Sequence, residues 1–369
     1  MKIRTVFELI GFYAKDFLGI RSLPRVIQLP VTANCNSRCL TCNIWQDADR
    51  TDIDTAELKR IFAEKFFTKV ETVGVNGGEI SLYKSPHDLF DALIMLPRLK
   101  NIYLISNGLL QSRLIALLSD WKKLCSEKGV KLNVTISVDG YGEVHNYVRG
   151  IPNAFKRTID TIKAIQQNKY IYCDALAIGC TISKHNIQHI SEIEIYLRSL
   201  GLPVSYHLAV PNKRIGTFVD FPYFVLENQE CLYLATEYFF KKTCSIRRLS
   251  EKFRYFAQYY YLRNNGKYRL SICPYLKQDI TIDEHLNLYL CATASDKISN
   301  LRHTTVEESM KSKELKAVEK QVSNCCDNCV HYMSGIPTIK GWFIFVKYII
   351  HNRLKYNYIY KYLSIWQRL

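Results

Sequence analysis

The first twenty residues lack an apolar core of signal-peptide length. Glu8 and Asp16 interrupt their apolar residues, whereas a secretory signal has an uninterrupted run of at least about seven. The thirteen cysteines are odd in number and unevenly spaced along 369 residues, which excludes the disulfide framework of a small secreted domain. We therefore expect a cytoplasmic protein whose thiols stay reduced and free to bind metal.

The last thirty residues lack any Asp or Glu. They carry six of the basic residues that give the chain its net charge of +16, together with many aromatic residues. Their longest uncharged run is far shorter than the ~20 residues that span a bilayer. Aromatic residues mixed with Lys and Arg are typical of a helix at a membrane surface. This composition favours a protein that is peripheral to the inner face of the membrane, with a cap on the fold or an RNA-binding surface as alternatives.

Apolar segments typical of strands alternate with helical segments over the first two thirds of the chain. The six predicted strands lie at 26–33, 70–76, 101–106, 133–138, 173–182 and 204–210. This alternation predicts βαβ units and a parallel sheet. A closed eight-unit barrel needs about 250 residues, so six units ending near residue 212 predict an α/β fold, an open partial (β/α)6 TIM-like barrel. Its active site is expected at the carboxyl ends of the strands.

Three cysteines, Cys35, Cys39 and Cys42, follow the first predicted strand with the spacing C-x3-C-x2-C. A closed tetrahedral zinc site takes four protein ligands, and no fourth ligand follows within this loop. Three thiolates would instead hold a 4Fe–4S cube by three corners and leave the fourth iron open. A zinc knuckle and buried structural cysteines are the alternatives.

Polar residues and glycines follow the next three predicted strands as well. They are Asn-Gly-Gly-Glu at 76–79, Ser-Asn-Gly at 106–108 and Ser-Val-Asp-Gly at 137–140. Each glycine pair or Asp-Gly alone would indicate an ordinary turn. Because the carboxyl ends of parallel strands meet at one edge of a sheet, the four segments together predict a ligand site there.

In these motifs the chain resembles the radical S-adenosylmethionine (SAM) superfamily. The resemblance rests on the three cysteines, on residues 77–79 and on the pattern at the strand ends, and it covers roughly residues 25–212. It implies an enzyme in which Cys35, Cys39 and Cys42 ligate a 4Fe–4S cluster whose open iron chelates SAM. An electron from the cluster then cleaves SAM to a 5′-deoxyadenosyl radical, which abstracts hydrogen from carbon.

The resemblance also implies contacts to SAM. Residues 77–79 match the segment that contacts the SAM amino group, where glycines let the backbone approach and the carboxylate of Glu79 would pair with the ammonium. Ser137 matches a position that touches the ribose or the carboxylate of SAM. The residues implied in cofactor binding are Gly77, Gly78, Glu79, Asn107, Ser137 and Arg149.

A second cysteine set follows between residues 273 and 329. A predicted β-hairpin at 280–290 lies between its first two members, and a predicted helix at 313–320 precedes the others. This arrangement resembles the twitch module, the shorter relative of the SPASM module, and implies one auxiliary 4Fe–4S cluster held by Cys273, Cys291, Cys326 and Cys329. Cys325 could replace Cys326, and a zinc ribbon is the alternative for the whole set.

The auxiliary cluster bears on the overall reaction. A cluster ligated fully by protein has no open iron, so it would accept an electron from a product radical and give net oxidation. Redox-neutral epimerisation is the other outcome, with a thiol returning the hydrogen atom. Cys180 is the candidate donor, although a small buried core cysteine is the more common role. His145 could form a hydrogen bond near the cofactor or lie in a solvated loop.

The sequence predicts five regions and several partners. The regions are an N-terminal amphipathic helix (1–24), the partial barrel (25–212), a helical bridge (213–270), the small β-hairpin and helix iron–sulfur module (271–335) and a basic aromatic tail (336–369). The expected substrate is a saccharide or a lipid-linked metabolite, with a ribosomally made peptide as the alternative. A flavodoxin-like or ferredoxin-like reductant is expected. A non-enzymatic zinc or nucleic-acid-binding protein is the competing interpretation, and nucleic acid is the less favoured partner.

Overall fold

Strands and helices alternate along the first two hundred residues. The computed structural model describes residues 11–15, 17–47, 49–217, 223–326, 328–329, 331 and 336–351. The strands are β1 (Val26–Pro30), β2 (Thr72–Asn76), β3 (Asn101–Ser106), β4 (Lys131–Ser137), β5 (Ala175–Ile182), β6 (Val204–Leu208), β7 (Ile280–Ile282), β8 (Asn287–Tyr289) and β9 (Lys297–Asn300). The longer helices are α1 (Thr55–Phe62), α2 (Pro86–Leu93), α3 (Gln111–Glu127), α4 (Glu143–Arg149), α5 (Ala154–Gln167), α7 (Ile190–Ser199), α8 (Gln229–Ser245), α9 (Leu249–Arg263) and α12 (Lys313–Cys326). Single-turn helices are α6 (Lys169–Tyr172), α10 (Pro274–Lys277) and α11 (Val306–Ser309).

All nine strands form one sheet in the order β6-β5-β4-β3-β2-β1-β7-β8-β9. Strands β1 to β6 are parallel neighbours, which confirms the predicted α/β fold with an open, mostly parallel sheet. Strand β7 pairs in parallel with β1, with Ile27 opposite Ile280. Strands β7 and β8 form the predicted antiparallel hairpin, and β9 extends it. The hairpin therefore continues the main sheet.

One face of the sheet is covered and the other is open. In β3, Ile102 and Leu104 are fully buried, whereas Tyr103 and Ile105 are 48% and 44% exposed. Because side chains alternate between the faces of a strand, this pattern separates a packed face from an accessible one. The burial pattern of β4 continues the alternation. Tyr103 and Ile105 therefore mark the face of the sheet that is open to solvent.

The chain divides into two compact units. The first contains residues 1–231 and 274–325, and with them the whole sheet; the second contains residues 232–273 and 326–369. The five regions predicted from the sequence stay predictions. Residues 1–10 of the predicted N-terminal helix and residues 352–369 of the predicted tail lie outside the described residues. No helix in the described ranges is both long and apolar enough to cross a bilayer.

Candidate functional site

The loop that follows β1 is held by backbone hydrogen bonds to the end of α4. The amide of Arg38 donates to the carbonyl of Arg149 (2.8 Å), and the amide of Leu40 donates to that of Val148 (2.9 Å). Gly150 ends α4 with φ +63°, and a Cβ there would lie 2.4 Å from the carbonyl oxygen of Arg38. Only glycine allows this close approach, so the helix end and the cysteine loop are fixed against each other.

The three thiols of this loop lie close together in a half-buried setting. The amide of Ser37 donates to Cys35 Sγ (3.4 Å), and Arg149 Nη1 donates to Cys39 Sγ (3.6 Å). Burial, followed by the proximity of Cys39, raises the pKa of Cys42 to about 11, and burial raises the pKa of Cys35 to about 12. A thiolate here needs a compensating cation, and a bound metal supplies one.

The three thiols are not grouped like the ligands of a single ion. Among the described residues, the one group of three potential metal ligands whose ligand atoms all lie within 4.8 Å of one another is Asp47, Glu284 and His285. The sulfurs of Cys35, Cys39 and Cys42 therefore do not all lie within 4.8 Å of one another. In a cubane cluster each thiolate binds a different iron, so three such ligands need not converge on one ion.

Residues 77–79 lie against the first turn of the cysteine loop. The amide of Gly78 donates to the carbonyl of Thr32 (2.6 Å), and the amide of Glu79 donates to that of Asn34 (2.7 Å). A Cβ on Gly78 would lie 2.1 Å from the carbonyl oxygen of Asn34, and Gly77 has φ +126°. The two glycines thus permit the backbone contact that joins the ends of β1 and β2. Among the described residues, no N–H donates to the carbonyl oxygen of Gly77 or Gly78.

The carboxylate of Glu79 is buried and fully engaged. Its Oε1 accepts from the amide and hydroxyl of Ser81 (3.1 and 2.7 Å) and from the hydroxyl of Ser106 (2.7 Å). Its Oε2 accepts from the amide of Asn107 (2.8 Å). The side chain therefore fixes the end of β2 to the end of β3. A contact to SAM through the carboxylate stays a prediction, and these bonds favour a positioning role for Glu79.

Asn107 and Ser137 extend the site to the next two strand ends. Asn107 Nδ2 donates to Asn36 Oδ1 (2.8 Å), which joins the end of β3 to the cysteine loop. Ser137 is half-buried and lies opposite Gly179 in the register of β4 and β5. No hydrogen bond joins its hydroxyl to the described part of the chain, so this group is available to a ligand.

A buried ion pair lies behind the cysteine loop. Arg149 Nη2 contacts Asp139 Oδ2 at 2.7 Å, and the two side chains are 11% and 6% exposed. The other carboxylate oxygen accepts from the amide of Thr181 (2.8 Å). Burial disfavours the charge on Arg149, but Asp139 and the Cys39 thiol outweigh burial and raise the pKa of Arg149 above its usual value. Asp139 is therefore a candidate functional residue. From the sequence alone it was identified only as part of an Asp-Gly turn.

His145 is a buried neutral side chain of the same cluster. Its Nδ1 accepts from the amide of Asp139 (3.0 Å), so its proton resides on Nε2. Burial, assisted by the charge of Arg149, lowers the pKa of His145 well below 6.5. Of the two positions that the sequence left open for this histidine, the structure shows the one near the site.

We expect the stability of the protein to fall as the pH drops below about 6.5, partly because of His145. The unfolded chain binds a proton there with an ordinary pKa, whereas the folded chain does not, so acid favours unfolding by up to about 1.4 kcal/mol per pH unit. Urea unfolding between pH 7.5 and 5.5 measures the slope. His145→Asn keeps an acceptor for the amide of Asp139 but cannot titrate, so the dependence of stability on pH should become less steep. An unchanged slope in this variant would show that His145 does not contribute to it.

Cys180 lies on the opposite face of the sheet from Ser137. Ser137 lies opposite Gly179, and neighbouring residues of a strand point to opposite faces. Cys180 is fully buried with Ile178 and Ile182 on the covered face. The structure therefore does not bring this thiol together with the other site residues, and its role as hydrogen donor stays a prediction.

The loop after β6 is tied to the hairpin of β7 and β8. Arg214 Nη1 lies 3.1 Å from both carboxylate oxygens of Glu284, and the two side chains are 10% and 4% exposed. The charge of Arg214 also lowers the pKa of Cys42, although less than burial raises it. This pair could not be predicted from the sequence, because seventy residues separate its members.

The second cysteine set is divided between the two units. Cys273, Cys326 and Cys329 belong to the second unit, whereas Cys291 belongs to the first. A hydrogen bond with Cys273 and then burial raise the pKa of Cys326. The carbonyl of Cys329 accepts from Arg269 Nη1 (3.2 Å). The second unit thus brings three of the four predicted auxiliary ligands together, and Cys291 stays a prediction of the sequence.

Several known proteins resemble this chain in sequence or in fold. Residues 29–193 match the model of the radical SAM superfamily. The chain is 28% identical over 198 residues to the AdoMet-dependent heme synthase of Methanosarcina barkeri, covering 52% of each protein. It is 24% identical over 176 residues to the sporulation killing factor maturation protein SkfB of Bacillus subtilis, covering 46% of this chain and 39% of that protein. The chain thus matches about half or less of the length of these relatives.

Among solved structures, the chain resembles SuiB of Streptococcus suis bound to its precursor peptide SuiA. The TM-score is 0.53 at 14% identity, and the match covers 89% of this chain and 78% of that one. Because the identity is so low, this structural likeness shows a shared fold alone.

Proposed function

We infer that this protein, whose residues 29–193 match the radical SAM superfamily model, is an enzyme that cleaves SAM reductively and abstracts hydrogen from carbon. The cofactors of such a domain are a 4Fe–4S cluster and SAM, which when bound supply a 5′-deoxyadenosyl radical. One observation carries the proposal. The cysteine loop and residues 77–79 are joined by backbone hydrogen bonds at adjacent strand ends, 2.6 and 2.7 Å long.

The cysteine loop would hold the cluster. Cys35, Cys39 and Cys42 provide three thiols from one loop whose ends are fixed to β2 and α4. The described loop offers no fourth thiol, which leaves one iron for SAM. Arg149 places a cationic N–H beside Cys39 Sγ, and a donor at a ligating sulfur raises the reduction potential of an iron–sulfur cluster.

The strand ends would orient SAM. The carbonyl oxygens of Gly77 and Gly78 accept no bond from the described chain, so they are suited to accept from an ammonium group. The Ser137 hydroxyl would contact the ribose or the carboxylate. Glu79 and Asn107 would keep these groups in position, because their own hydrogen bonds fix the strand ends. Such fixed geometry lowers the entropic cost of reaction.

Two substrate classes remain in the proposal. The names of two relatives support a peptide: SkfB is a maturation protein, and SuiB binds a precursor peptide. The sequence-based proposal of a saccharide or lipid-linked metabolite, oxidised or epimerised, is the second class. The open face of β3, with its exposed Tyr103 and Ile105, offers apolar contact to either. A flavodoxin-like or ferredoxin-like protein is proposed as the electron donor.

Anaerobic reconstitution of the full chain tests the proposal. The protein should turn brown and bind about eight irons, as two cubane clusters require. With dithionite it should convert SAM to 5′-deoxyadenosine and methionine, measured by liquid chromatography. A colourless protein that binds zinc and leaves SAM intact would favour the competing zinc-binding function. Incubation with deuterated peptide or saccharide candidates distinguishes the substrate classes, because only a true substrate transfers deuterium to 5′-deoxyadenosine.

Adjacent cysteines allow a sharp test of the auxiliary cluster. We expect Cys326→Ser to lower the iron content from about eight to about four per chain, since Cys326 lies beside Cys273 in the second unit. Cys325→Ser is the matched control and should keep about eight. Iron analysis and electron paramagnetic resonance measure the outcome. The reverse result would assign Cys325 as the ligand, and no iron loss from either variant would contradict the auxiliary cluster.

A further inference from the structure

Residues 339–351 form a helix whose inner face is packed within the second unit. Phe345 is fully buried, and its ring centroid lies 5.2 Å from those of Phe253 and Phe256. The Tyr348 ring lies 4.5 Å from that of Phe256. A Cβ on Gly341 would lie 2.2 Å from the carbonyl oxygen of Leu270. These contacts fix the helix on one side.

The outer face of this helix is also apolar. Phe343 is 73% exposed and Ile339 is 66% exposed. Successive residues of a helix are rotated by roughly 100° about its axis. The exposed apolar residues therefore fall in a single stripe that covers about 100° of the helix circumference. The stripe consists of Ile339, Trp342, Phe343, Val346 and Ile350. Single exposed apolar residues are ordinary, but a contiguous stripe marks an interaction surface.

Basic residues border the stripe along one side. Lys340 and Lys347 are exposed. On a helical projection both lie next to the same edge of the stripe. Residues 340–369 contain six Lys or Arg and no Asp or Glu. A surface that is both apolar and positively charged matches a bilayer that contains anionic lipid. Two copies of this chain would bring like charges together on this face, which disfavours pairing between copies.

We propose that the stripe, together with Lys340 and Lys347, docks on an anionic lipid bilayer. The helix lies along the interface, with Phe343 and its apolar neighbours below the headgroups. The two lysines extend their charged ends to the lipid phosphates. The docking holds the enzyme at the membrane and is independent of the reaction at the cysteine loop.

Flotation of the full reconstituted protein with vesicles tests the proposal. The vesicles are phosphatidylcholine alone, or phosphatidylcholine with about one third phosphatidylglycerol. We expect binding to the anionic vesicles only, weakened by 0.5 M NaCl. Lys340→Gln with Lys347→Gln should weaken binding roughly 25-fold, about fivefold for each charge. Phe343→Ser with Ile350→Ser should weaken it at least about tenfold.

Matched variants elsewhere on the surface serve as controls. Tyr170→Ser with Ile195→Ser removes comparable exposed apolar area, and Lys123→Gln with Lys128→Gln removes the same charge from exposed positions. Both should bind within about twofold of the wild type.

Three outcomes would overturn the proposal. The first is that the wild type does not float with the anionic vesicles. The second is that the wild type floats to the same extent as the lysine variant and the Phe343 and Ile350 variant (the face variants). The third is a dimer in sedimentation that Phe343→Ser dissociates without changing flotation. Cleavage of SAM in the absence of vesicles should be the same in the wild type and the face variants, so a failure of docking is distinguishable from a failure of the proposed reaction.

Discussion

Cys39→Ala is expected to abolish SAM cleavage and to lower the iron content from about eight to about four per chain. The variant leaves two thiols in a loop that must hold a cubane by three corners. It also removes the sulfur that accepts from Arg149 Nη1. The yield of 5′-deoxyadenosine should fall below detection, while the auxiliary cluster keeps its absorbance. Iron analysis and chromatography of the same sample measure both effects.

Cys125→Ala is the matched control for this experiment. Cys125 is fully buried in α3, and burial raises the pKa of its thiol to about 12, as is typical of a structural cysteine. We expect this variant to keep about eight irons and near wild-type cleavage, with a small loss of stability. If Cys39→Ala retained eight irons and activity, the loop would not be the SAM-binding cluster site.

Arg149→Met should destabilise the folded protein by about 3–5 kcal/mol. It leaves the carboxylate of Asp139 buried without its counter-ion. The free energy of leaving that charge buried and unpaired exceeds the net stabilisation that the ion pair provides. The loss should appear in urea unfolding of the cluster-free protein, which separates it from any effect on the metal. The cluster-loaded variant should also show a lower reduction potential, because the Cys39 sulfur loses its hydrogen-bond donor.

A double variant tests whether the loss of stability comes from the buried Asp139 carboxylate that has no counter-ion. Asp139→Asn combined with Arg149→Met removes both charges, so it should recover part of the stability lost in the single variant. Lys156→Met is the control, because Lys156 pairs with Asp160 on the exposed surface of α5 and such pairs contribute at most about 0.5 kcal/mol. A loss of less than 1 kcal/mol in Arg149→Met would show that Asp139 is solvated or protonated.

The parallel sheet and the cysteine loop could be predicted because both depend on local pattern. The strands read as short apolar segments, and each of the six predicted strands overlaps one in the sheet. The spacing of Cys35, Cys39 and Cys42 within eight residues is a local motif as well. The β-hairpin at residues 280–290 was visible for the same reason, since its strands alternate around a polar turn.

What the sequence could not show is pairing between distant residues. Glu79 is predicted to contact SAM, and the sequence does not show that its carboxylate also accepts hydrogen bonds from Ser81, Ser106 and the amide of Asn107. Nothing in the sequence relates Asp139 to Arg149 as a buried pair, because only the fold determines which charges lose contact with water. The pairing of β7 with β1 could not be predicted either, because the sequence of a short apolar strand does not indicate which strand it pairs with.

That attachment has a consequence for how the site is protected. Strand β1 is hydrogen-bonded on both sides, by β2 and by β7, so the cysteine loop emerges from an interior strand. A chain that ended before Ile280 would turn β1 into a free edge, and unpaired edges recruit strands from other molecules. Shortened forms should therefore precipitate, and amide protons of β1 should be among the slowest to exchange in the intact protein.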